Sequence, residues 1–379
     1  MKTRRPTIPL VDLRAALAPI RAEVLAEFGR ILDSGQLLLG PNVEAFEREF
    51  ADYCGADLSV GLSSGTDALY AALRAVGVAA GDEVIAPAHT FFATIEAIVH
   101  TGATPVMVDV EPERLTIDPE RVRAALTPRT RAIVPVHLYG HPAHMDPILA
   151  LARDRGLRVI EDAAQAHGAT DRGRLCGSLG DVGCFSFYFT KNLGALGEAG
   201  CAVTSDASLA ESMRLLRHHG HTSKFEHAVV GHNLRLDELQ AAVLRIRLRG
   251  LAAAVERRRA IAARYRDYFE GSPVRILPAR EGCDPAHHLY PIRVRDRDGL
   301  RAHLQQQGIE TGIHYPIPAH RQPAMLKHLH RAEDLRITEA ACGEILSLPM
   351  YPELEDEQVA AVAEQVLAFV GPARSRVGA

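Results

Sequence analysis

The sequence predicts an α/β fold, with a large, mainly parallel sheet covered by helices and a smaller α+β domain after it. Three observations support this prediction. Short apolar stretches alternate with amphipathic segments up to about residue 162. After residue 234 the pattern changes to long helical periodicity. The chain has 379 residues, which is more than one hydrophobic core usually accommodates.

The alternating part consists of short strands, most of them followed by a helix. The expected strands cover residues 59–62, 83–87, 105–109, 131–137 and 158–162. The expected helices cover residues 65–75, about 93–100, about 118–126 and about 144–155. Right-handed crossovers between parallel strands place the carboxyl ends of these strands at one edge of the sheet, where ligands bind in folds of this class.

The second part of the chain is mostly helical. Apolar side chains recur at helical spacing from Leu236 to Ile246, and an arginine-rich helical segment continues to about Phe269, with Gly250 as a candidate break. Residues 287–294 have the character of a strand, and the remaining expected helices lie near 297–308, 334–345 and 356–369. We therefore expect a large domain over residues 1–250 and a small C-terminal domain over residues 251–379.

Composition and charge exclude several classes of protein. A net charge of −4 gives no general attraction to nucleic acids or anionic membranes, so the arginines between residues 245 and 259 are expected on a solvated or salt-bridged helix face. No apolar run approaches the ~18 residues of a membrane span. Asp12 and Arg14 interrupt the apolar stretch that a signal peptide would need after the basic start at residues 1–6. With six scattered cysteines and no CxxC pair, we expect a cytoplasmic protein with reduced thiols.

Lys191 is one of only four lysines among 43 basic residues. It follows the mainly apolar stretch from Cys184 to Phe189 and precedes a glycine-rich turn. A desolvated lysine amine can lose its proton and attack a carbonyl to form a Schiff base, which arginine cannot do. The alternative is a solvated lysine at the end of a strand. A catalytic interpretation therefore needs partner residues elsewhere in the chain.

Three further groups are expected at the same edge of the sheet as Lys191. Residues 64–66 (Ser-Gly-Thr) lie at a strand-to-helix junction, where free amides and a hydroxyl suit a phosphate, although such residues also cap ordinary helices. Glu161 and Asp162 end an apolar strand, where a buried carboxylate needs a partner, although a solvent-facing cap is an alternative. Phe91 could cover a planar ring or pack in the core.

Together these groups fit one cofactor. Pyridoxal phosphate needs a Schiff-base lysine, a carboxylate at its pyridine nitrogen, an anion cradle and usually a ring over one face. Lys191, Asp162, residues 64–66 and Phe91 supply these parts. Their order along the chain is similar to that of the fold-type I pyridoxal-phosphate enzymes.

The chain resembles the DegT/DnrJ/StrS-type nucleotide-sugar aminotransferases over nearly its full length. The matching motifs lie at residues 40–47 (GPNVEAFE), 64–69 (SGTDAL), 161–168 (EDAAQAHG), 184–201 around Lys191, 231–242 (GHNLRLDELQAA) and 312–320 (GIHYPIPAH). The resemblance implies a fold-type I pyridoxal-phosphate-dependent transferase that acts as a homodimer with shared active sites.

The resemblance also implies the residues of the cofactor site. Lys191 would carry pyridoxal 5′-phosphate and, with Asp162, perform the catalysis. Asp162 would bind the pyridine nitrogen and Gln165 the ring hydroxyl, while Phe91 would stack on the ring. The expected phosphate ligands are Gly65, Thr66, Ser186 and, from the neighbouring subunit, Asn233.

Other expectations concern the substrate pocket and metals. The resemblance implies that Tyr188, His314 and Tyr315 line the sugar pocket. From the residues alone, Asn233 is a turn residue before a helix capped near Asp237. The neighbouring histidines form no recognisable metal-binding pattern, and no metal site is expected; they are His218, His219 and His221.

The activity implied by the resemblance is transfer of an amino group from glutamate or glutamine to a nucleotide-linked ketosugar. Residues 312–320, with Gln322 close behind, are most similar to members that act on dTDP-3-keto-6-deoxyhexoses. A 4-ketosugar or a cyclitol ketone is the alternative acceptor. A branch that dehydrates sugars has histidine in place of the lysine, so Lys191 argues against it. A regulatory, non-catalytic relative is the remaining alternative.

Overall fold

The computed structural model describes residues 7–332 and 334–371. The basic start at residues 1–6 and the far end of the predicted small domain, residues 372–379, lie outside the described residues. The α-helices are α1 (Leu13–Leu17), α2 (Arg21–Ser34), α3 (Pro41–Cys54), α4 (Gly65–Ala75), α5 (Phe92–His100), α6 (Pro119–Ala125), α7 (Met145–Arg155), α8 (Ala207–Arg217), α9 (Glu238–Leu248), α10 (Leu251–Phe269), α11 (Arg297–Gln306), α12 (Arg336–Glu344) and α13 (Asp356–Val370). Short 3₁₀ turns cover Ala18–Ile20, Leu138–Gly140, Ala319–Arg321 and Pro323–Lys327.

The strands form one large sheet and three small ones. They are β1 (Leu58–Leu62), β2 (Glu83–Pro87), β3 (Thr104–Val108), β4 (Thr130–Ile133), β5 (Arg158–Asp162), β6 (Thr170–Asp171), β7 (Arg174–Leu175), β8 (Val182–Ser186), β9 (Gly200–Thr204), β10 (His221–Ser223), β11 (Glu226–His227), β12 (Arg275–Ile276), β13 (Cys283–Asp284), β14 (Tyr290–Arg293), β15 (Arg331–Ala332) and β16 (Ile345–Leu348).

The large sheet has the order β1-β9-β8-β5-β4-β2-β3-β15. Its neighbours pair in parallel except at β9, which runs antiparallel to both β1 and β8. The predicted mainly parallel sheet is therefore confirmed. Because β1, β2, β5 and β8 run in the same direction, their carboxyl ends lie at one edge of the sheet.

Helices cover both faces of this sheet, as the continuous burial of its strands requires. On one face, α4, α5 and α8 bury a core around Leu73, Ile95 and Met213. On the other, α3, α7 and α9 bury a core around Phe50, Ile148 and Leu244. Both cores exclude water from the strands, so they fix the positions of the strand ends that carry the candidate site residues.

A third core belongs to the C-terminal part. Sheet β12-β14-β16 packs with α10, α11 and α13 around Tyr265, Ile292 and Leu300. Gly250 separates α9 from α10, as the sequence predicts. The division between residues 250 and 251 stays a prediction. Arg331–Ala332, beyond that division, forms the edge strand of the large sheet.

The structure contains elements that the prediction lacks, among them β8, β9 and α8, and two strands differ from their predicted bounds. Helices α1, α2 and α3 precede the alternating pattern and are absent from the prediction. The strand expected over residues 131–137 ends at Ile133, because Pro135 has no amide hydrogen to donate to a neighbouring strand. The strand expected from residue 287 begins at Tyr290, because His287 has a φ of 43°, which is incompatible with extended backbone.

Candidate active site

The strand ends bring Gly65 and Ser186 together. Ser64 caps α4, its side chain accepting a hydrogen bond from the amide of Asp67, so the first turn of α4 begins directly after β1. A Cβ atom added to Gly65 would lie 2.6 Å from the Cβ of Ser186 at the end of β8. Gly200 pairs with Leu62 and with Ser186, and a side chain there would collide with the carbonyl oxygen of Ser64. Glycine at both positions lets the amino terminus of α4 approach Ser186 closely, and free helix amides beside a hydroxyl suit an anion.

Asp162 lies at the end of β5 and is buried. The hydroxyl of Thr94 donates to its carboxylate at 2.7 Å, and the amide of Ala164 donates at 3.2 Å. Burial raises the pKa of Asp162, and these hydrogen bonds and Lys191 oppose the rise. A buried carboxylate of this kind gains from a further cationic partner.

Lys191 is half-buried in the turn after β8. Its amide donates to the carbonyl of Tyr188 at 2.7 Å, and the next residue, Asn192, donates to the carbonyl of Ala286 at 3.0 Å. Burial lowers the pKa of the Lys191 amine to about 8, although the carboxylates of Asp162 and Glu198 favour its charged form. More of the amine is therefore uncharged near neutral pH than for an ordinary lysine, and a nucleophilic lysine reacts in its uncharged form.

Gln165 is buried three residues after Asp162. Its side-chain oxygen accepts from the amide of Tyr139 at 2.6 Å, and its side-chain nitrogen donates to the hydroxyl of Tyr315 at 3.1 Å. These two contacts fix the orientation of the Gln165 side-chain amide, with its oxygen towards Tyr139 and its nitrogen towards Tyr315. The structure thus joins Gln165 directly to one of the predicted sugar-pocket residues.

Aromatic and imidazole side chains surround this edge of the sheet. The ring of Phe91 is 56% exposed, and its centroid lies 5.6 Å from that of Tyr315. Tyr188 is partly exposed and contacts Phe189, with ring centroids 4.1 Å apart. His314 Nδ1 lies 2.9 Å from the hydroxyl of Ser347, and burial, together with Lys191, lowers the pKa of this histidine to about 4. The imidazole of His314 is therefore neutral at physiological pH.

Asn233 lies apart from this group of buried side chains. It is exposed and forms an antiparallel bridge with His218, beside a hairpin made of β10 and β11. Phe225 in the turn of this hairpin and Val230 shortly after it are exposed apolar side chains, 86% and 93% accessible. Asp237 occupies the N-cap position of α9, but its side chain makes no capping hydrogen bond.

The acidic residue beside Asp162 has a structural role. Glu161 is fully buried, and its carboxylate accepts backbone hydrogen bonds at 2.7–2.8 Å from the amides of Gly177, Leu179 and Gly180. It also contacts His137 Nε2 at 2.8 Å. Glu161 is therefore neither a solvent-facing cap nor a part of the candidate site, and it holds the chain between β7 and β8 against β5.

We expect Glu161→Gln to lower the free energy of unfolding by about 3 kcal/mol, because it removes one partner of a buried ion pair. The side-chain nitrogen of the introduced glutamine is a hydrogen-bond donor, and it would face backbone amides that are donors as well. Equilibrium unfolding in urea measures the difference. A variant as stable as the wild type would contradict the structural role.

The ion pair between Glu161 and His137 also makes the stability of the fold depend on pH. Burial disfavours charged His137, but Cys176 and Glu161 outweigh burial and raise its pKa from 6.5 to about 10. A raised pKa stabilises the fold fully below the unfolded pKa of 6.5, and this stabilisation declines as the pH rises towards 10. Wild-type stability should therefore fall over this range, and that of Glu161→Gln should fall less. Parallel profiles would contradict this expectation.

Three residues of the site were outside the prediction: Thr94, Tyr139 and Ser347. Thr94 lies one helical turn after Thr90, and their hydroxyls are 2.8 Å apart, so the pair at the start of α5 is the signal that could have identified it. Tyr139 and Ser347 reach the site from distant parts of the chain, and no local pattern identifies them.

Within residues 7–332 and 334–371, no three His, Cys, Asp or Glu side chains are arranged to hold a metal ion. None of the helices described is long and apolar enough to cross a membrane.

A model of the DegT/DnrJ/EryC1/StrS aminotransferase family matches residues 19–367. The chain belongs to this family. The aminotransferase is 48% identical over 366 residues to a dTDP-3-amino-3,4,6-trideoxy-α-D-glucose transaminase of Streptomyces venezuelae, covering 96% of this chain and 97% of the relative. It is 46% identical over 362 residues to a UDP-N-acetyl-3-dehydro-α-D-glucosamine 3-aminotransferase of Acidithiobacillus ferrooxidans, covering 95% and 97%.

A solved structure is similar over nearly the full length of the aminotransferase. The crystal structure of S. venezuelae DesV in complex with a ketimine intermediate has a TM-score of 0.94 and 47% sequence identity, and the match covers 97% of this chain and 100% of that chain. The family, the fold class and the expectation of a pyridoxal-phosphate-dependent sugar aminotransferase are therefore confirmed.

Proposed function

We propose that this aminotransferase uses pyridoxal 5′-phosphate to move an amino group from glutamate or glutamine to a nucleotide-linked ketosugar. The acceptor that fits best is a dTDP-3-keto-6-deoxyhexose. One observation carries the proposal most directly. Lys191, with its pKa lowered to about 8, lies within electrostatic reach of the buried Asp162, at the sheet edge where Gly65 and Ser186 also meet. Six unpaired cysteines are consistent with a cytoplasmic enzyme.

The residues present fit the cofactor. Gly65, Thr66 and Ser186 would hold its phosphate, since a side chain at Gly65 would occupy the space beside Ser186. Asp162 would bind the pyridine nitrogen and keep it protonated, which supplies the buried carboxylate with the cationic partner that it needs. The side chain of Gln165 would face the ring hydroxyl, and the exposed ring of Phe91 would cover one face.

Pyridoxal phosphate supplies an electron sink that stabilises negative charge on a carbon attached to its imine nitrogen. The protein supplies the proton transfer. Once the amino donor has displaced it, the Lys191 amine would take the proton from the α-carbon of the donor and return it to the cofactor carbon on the other side of the nitrogen. An amine with a pKa of about 8 suits both directions, because the ideal pKa of a general acid and base lies near the working pH.

The proposed acceptor is distinguished from the alternatives by the ring position of its keto group. One relative is named as a 3-amino-sugar transaminase and another as a 3-aminotransferase of a 3-dehydro sugar, which supports a 3-ketosugar here. Tyr188, His314 and Tyr315 would contact the sugar, and the neutral imidazole of His314 would hydrogen-bond without adding charge.

A panel of acceptors tests this assignment. The purified protein is first converted to its amino form with glutamate and then mixed with nucleotide-linked 3-ketosugars, 4-ketosugars or cyclitol ketones. We expect the visible absorbance of the lysine-bound cofactor to return with the dTDP-linked 3-ketosugar. Return only with a 4-ketosugar or a cyclitol would reassign the acceptor. No response to any acceptor would contradict the assignment of a nucleotide-linked ketosugar as the acceptor.

Asn233 is proposed to reach the cofactor phosphate of a partner subunit, which makes the enzyme a homodimer with two shared sites. Its exposure beside a hairpin with exposed apolar side chains supports this proposal. We expect Asn233→Asp to be nearly inactive, because a carboxylate would repel the phosphate.

Mixing the inactive Asn233→Asp and Lys191→Ala proteins gives a sharper test. If the sites are shared, each hybrid dimer has one intact site, so about a quarter of the wild-type activity returns after subunit exchange. A mixture of Lys191→Ala with Asp162→Asn is the matched control, since both residues would belong to the same subunit's site. Absence of recovery in the test mixture, as in the control, would contradict the shared arrangement.

A further inference from the structure

Tyr139 has an unusual backbone conformation for its residue type. Its φ is 62°, in the left-handed region, although it carries a large side chain and is fully buried. Such a conformation is unfavourable for a bulky residue and persists only where the surrounding structure holds it. The contacts of Tyr139 identify what holds it and what it holds in turn.

Both ends of Tyr139 contact the candidate site. Its amide donates to the side-chain oxygen of Gln165 at 2.6 Å, and its hydroxyl donates to the carbonyl of His314. The side-chain nitrogen of Gln165 donates to the hydroxyl of Tyr315, the residue after His314, at 3.1 Å. Three hydrogen bonds and the peptide bond between His314 and Tyr315 therefore join the four residues in a closed ring. This ring connects the proposed cofactor ligand Gln165 to the proposed sugar pocket.

The carbonyl of His314 can only accept, so it fixes the direction of the Tyr139 hydrogen bond and with it the role of His89. His89 Nε2 lies 2.7 Å from the hydroxyl of Tyr139, and His89 Nδ1 lies 3.8 Å from the sulfur of Cys342. Burial, with Arg293, lowers the pKa of His89 to about 4, so its ring is neutral. Because the Tyr139 proton is given to His314, Nε2 of His89 is the donor to the tyrosine oxygen. The hydroxyl is thus a one-way donor to the loop that carries His314 and Tyr315.

We propose that Tyr139 is a positioning residue that sets the sugar pocket relative to the cofactor. Its left-handed backbone directs the amide to Gln165 while its side chain reaches the loop at residues 312–315. The proposal rests on the proposed function of His314 and Tyr315 and goes beyond it, because Tyr139 is fully buried and would act through these residues.

Tyr139→Phe separates the two contacts, since it removes the hydroxyl and keeps the amide. We expect the affinity for the cofactor, its visible spectrum and the half-reaction with glutamate to be unchanged. The half-reaction with the dTDP-linked 3-ketosugar should show a KM raised about tenfold, because the His314 carbonyl loses its partner. The double variant with Tyr315→Phe should lose less than the sum of the two single effects, since both changes break the same ring.

Tyr265→Phe is the matched control. Tyr265 is also fully buried, and its hydroxyl donates to a backbone carbonyl, that of Pro349 at 3.1 Å, in the core of the C-terminal part. Tyr265→Phe should lower the stability of the fold without changing the KM for the ketosugar. Equal slowing of both half-reactions by Tyr139→Phe, or an unchanged KM, would overturn the proposal.

Hydrogen exchange supplies a readout that needs no substrate. In Tyr139→Phe, the backbone amide hydrogens of residues 312–315 should exchange with solvent about tenfold faster than in the wild type. In Tyr265→Phe, the same amides should exchange at the wild-type rate. Unchanged exchange would also overturn the proposal. A wild-type enzyme that accepts no ketosugar would instead count against the proposed function, and the exchange measurement would still decide whether Tyr139 holds the loop.

Discussion

Lys191→Ala is expected to lower the rate of amino transfer by about 10⁴-fold or more, because it removes both the Schiff-base amine and the group that moves the proton. The variant should purify without the visible absorbance of a lysine-bound cofactor. Borohydride reduction followed by mass spectrometry of the peptides should attach the cofactor to Lys191 in the wild type and to no peptide of the variant.

Two further variants make this result specific. Lys191→Arg keeps a positive charge but cannot form a Schiff base, so it should be as inactive as the alanine variant. Lys327→Ala removes an exposed lysine from a 3₁₀ turn and should behave as the wild type. Substantial amino transfer by either Lys191 variant would refute the assignment of this residue.

Asp162→Asn is expected to reduce kcat by roughly 10²–10³-fold, in the range found for loss of a single preorganised electrostatic contact. Asparagine can still accept the hydrogen bond from Thr94, so the fold should be retained. It cannot keep the pyridine nitrogen protonated, and the cofactor loses much of its capacity to stabilise negative charge. Stopped-flow measurement of the glutamate half-reaction gives the rate.

The neighbouring Glu161→Gln is the contrasting variant. It changes the adjacent carboxylate in the same chemical way, but Glu161 binds backbone amides and His137 away from the candidate site. We expect Glu161→Gln to lose stability with little change in kcat, and Asp162→Asn to lose kcat with little change in stability. The reverse pattern would exchange the roles of the two acids.

The elements predicted most accurately from the sequence are those with sharp local signals. Helix α4 and strands β2 and β5 have the predicted bounds, because Ser64 marks a helix start and short apolar runs end at Pro87 and Asp162. The same locality explains the candidate site. Parallel strands bring residues 64–66, Asp162 and Ser186 to one edge, so their proximity follows from topology without knowledge of any side-chain contact.

The parts that the sequence does not predict depend on distant contacts. Thr94 and Asp162 are 68 residues apart, and Tyr139 and His314 are 175 residues apart. The left-handed backbone of Tyr139 contradicts the preference of its residue type, so only the surrounding structure determines it. The structural role of Glu161 depends likewise on amides of a later loop, and its adjacency to Asp162 in sequence conceals their different environments.

Isotope transfer tests the central claim most directly. Glutamate carrying a heavy nitrogen in its amino group is incubated with the enzyme, pyridoxal phosphate and dTDP-3-keto-6-deoxyglucose, and the nucleotide sugar is analysed by mass spectrometry. We predict a dTDP-linked aminosugar that carries the heavy nitrogen, formed by the wild type and by Lys327→Ala but not by Lys191→Ala. An unlabelled nucleotide sugar with the wild type, or a labelled one with Lys191→Ala, would contradict the account.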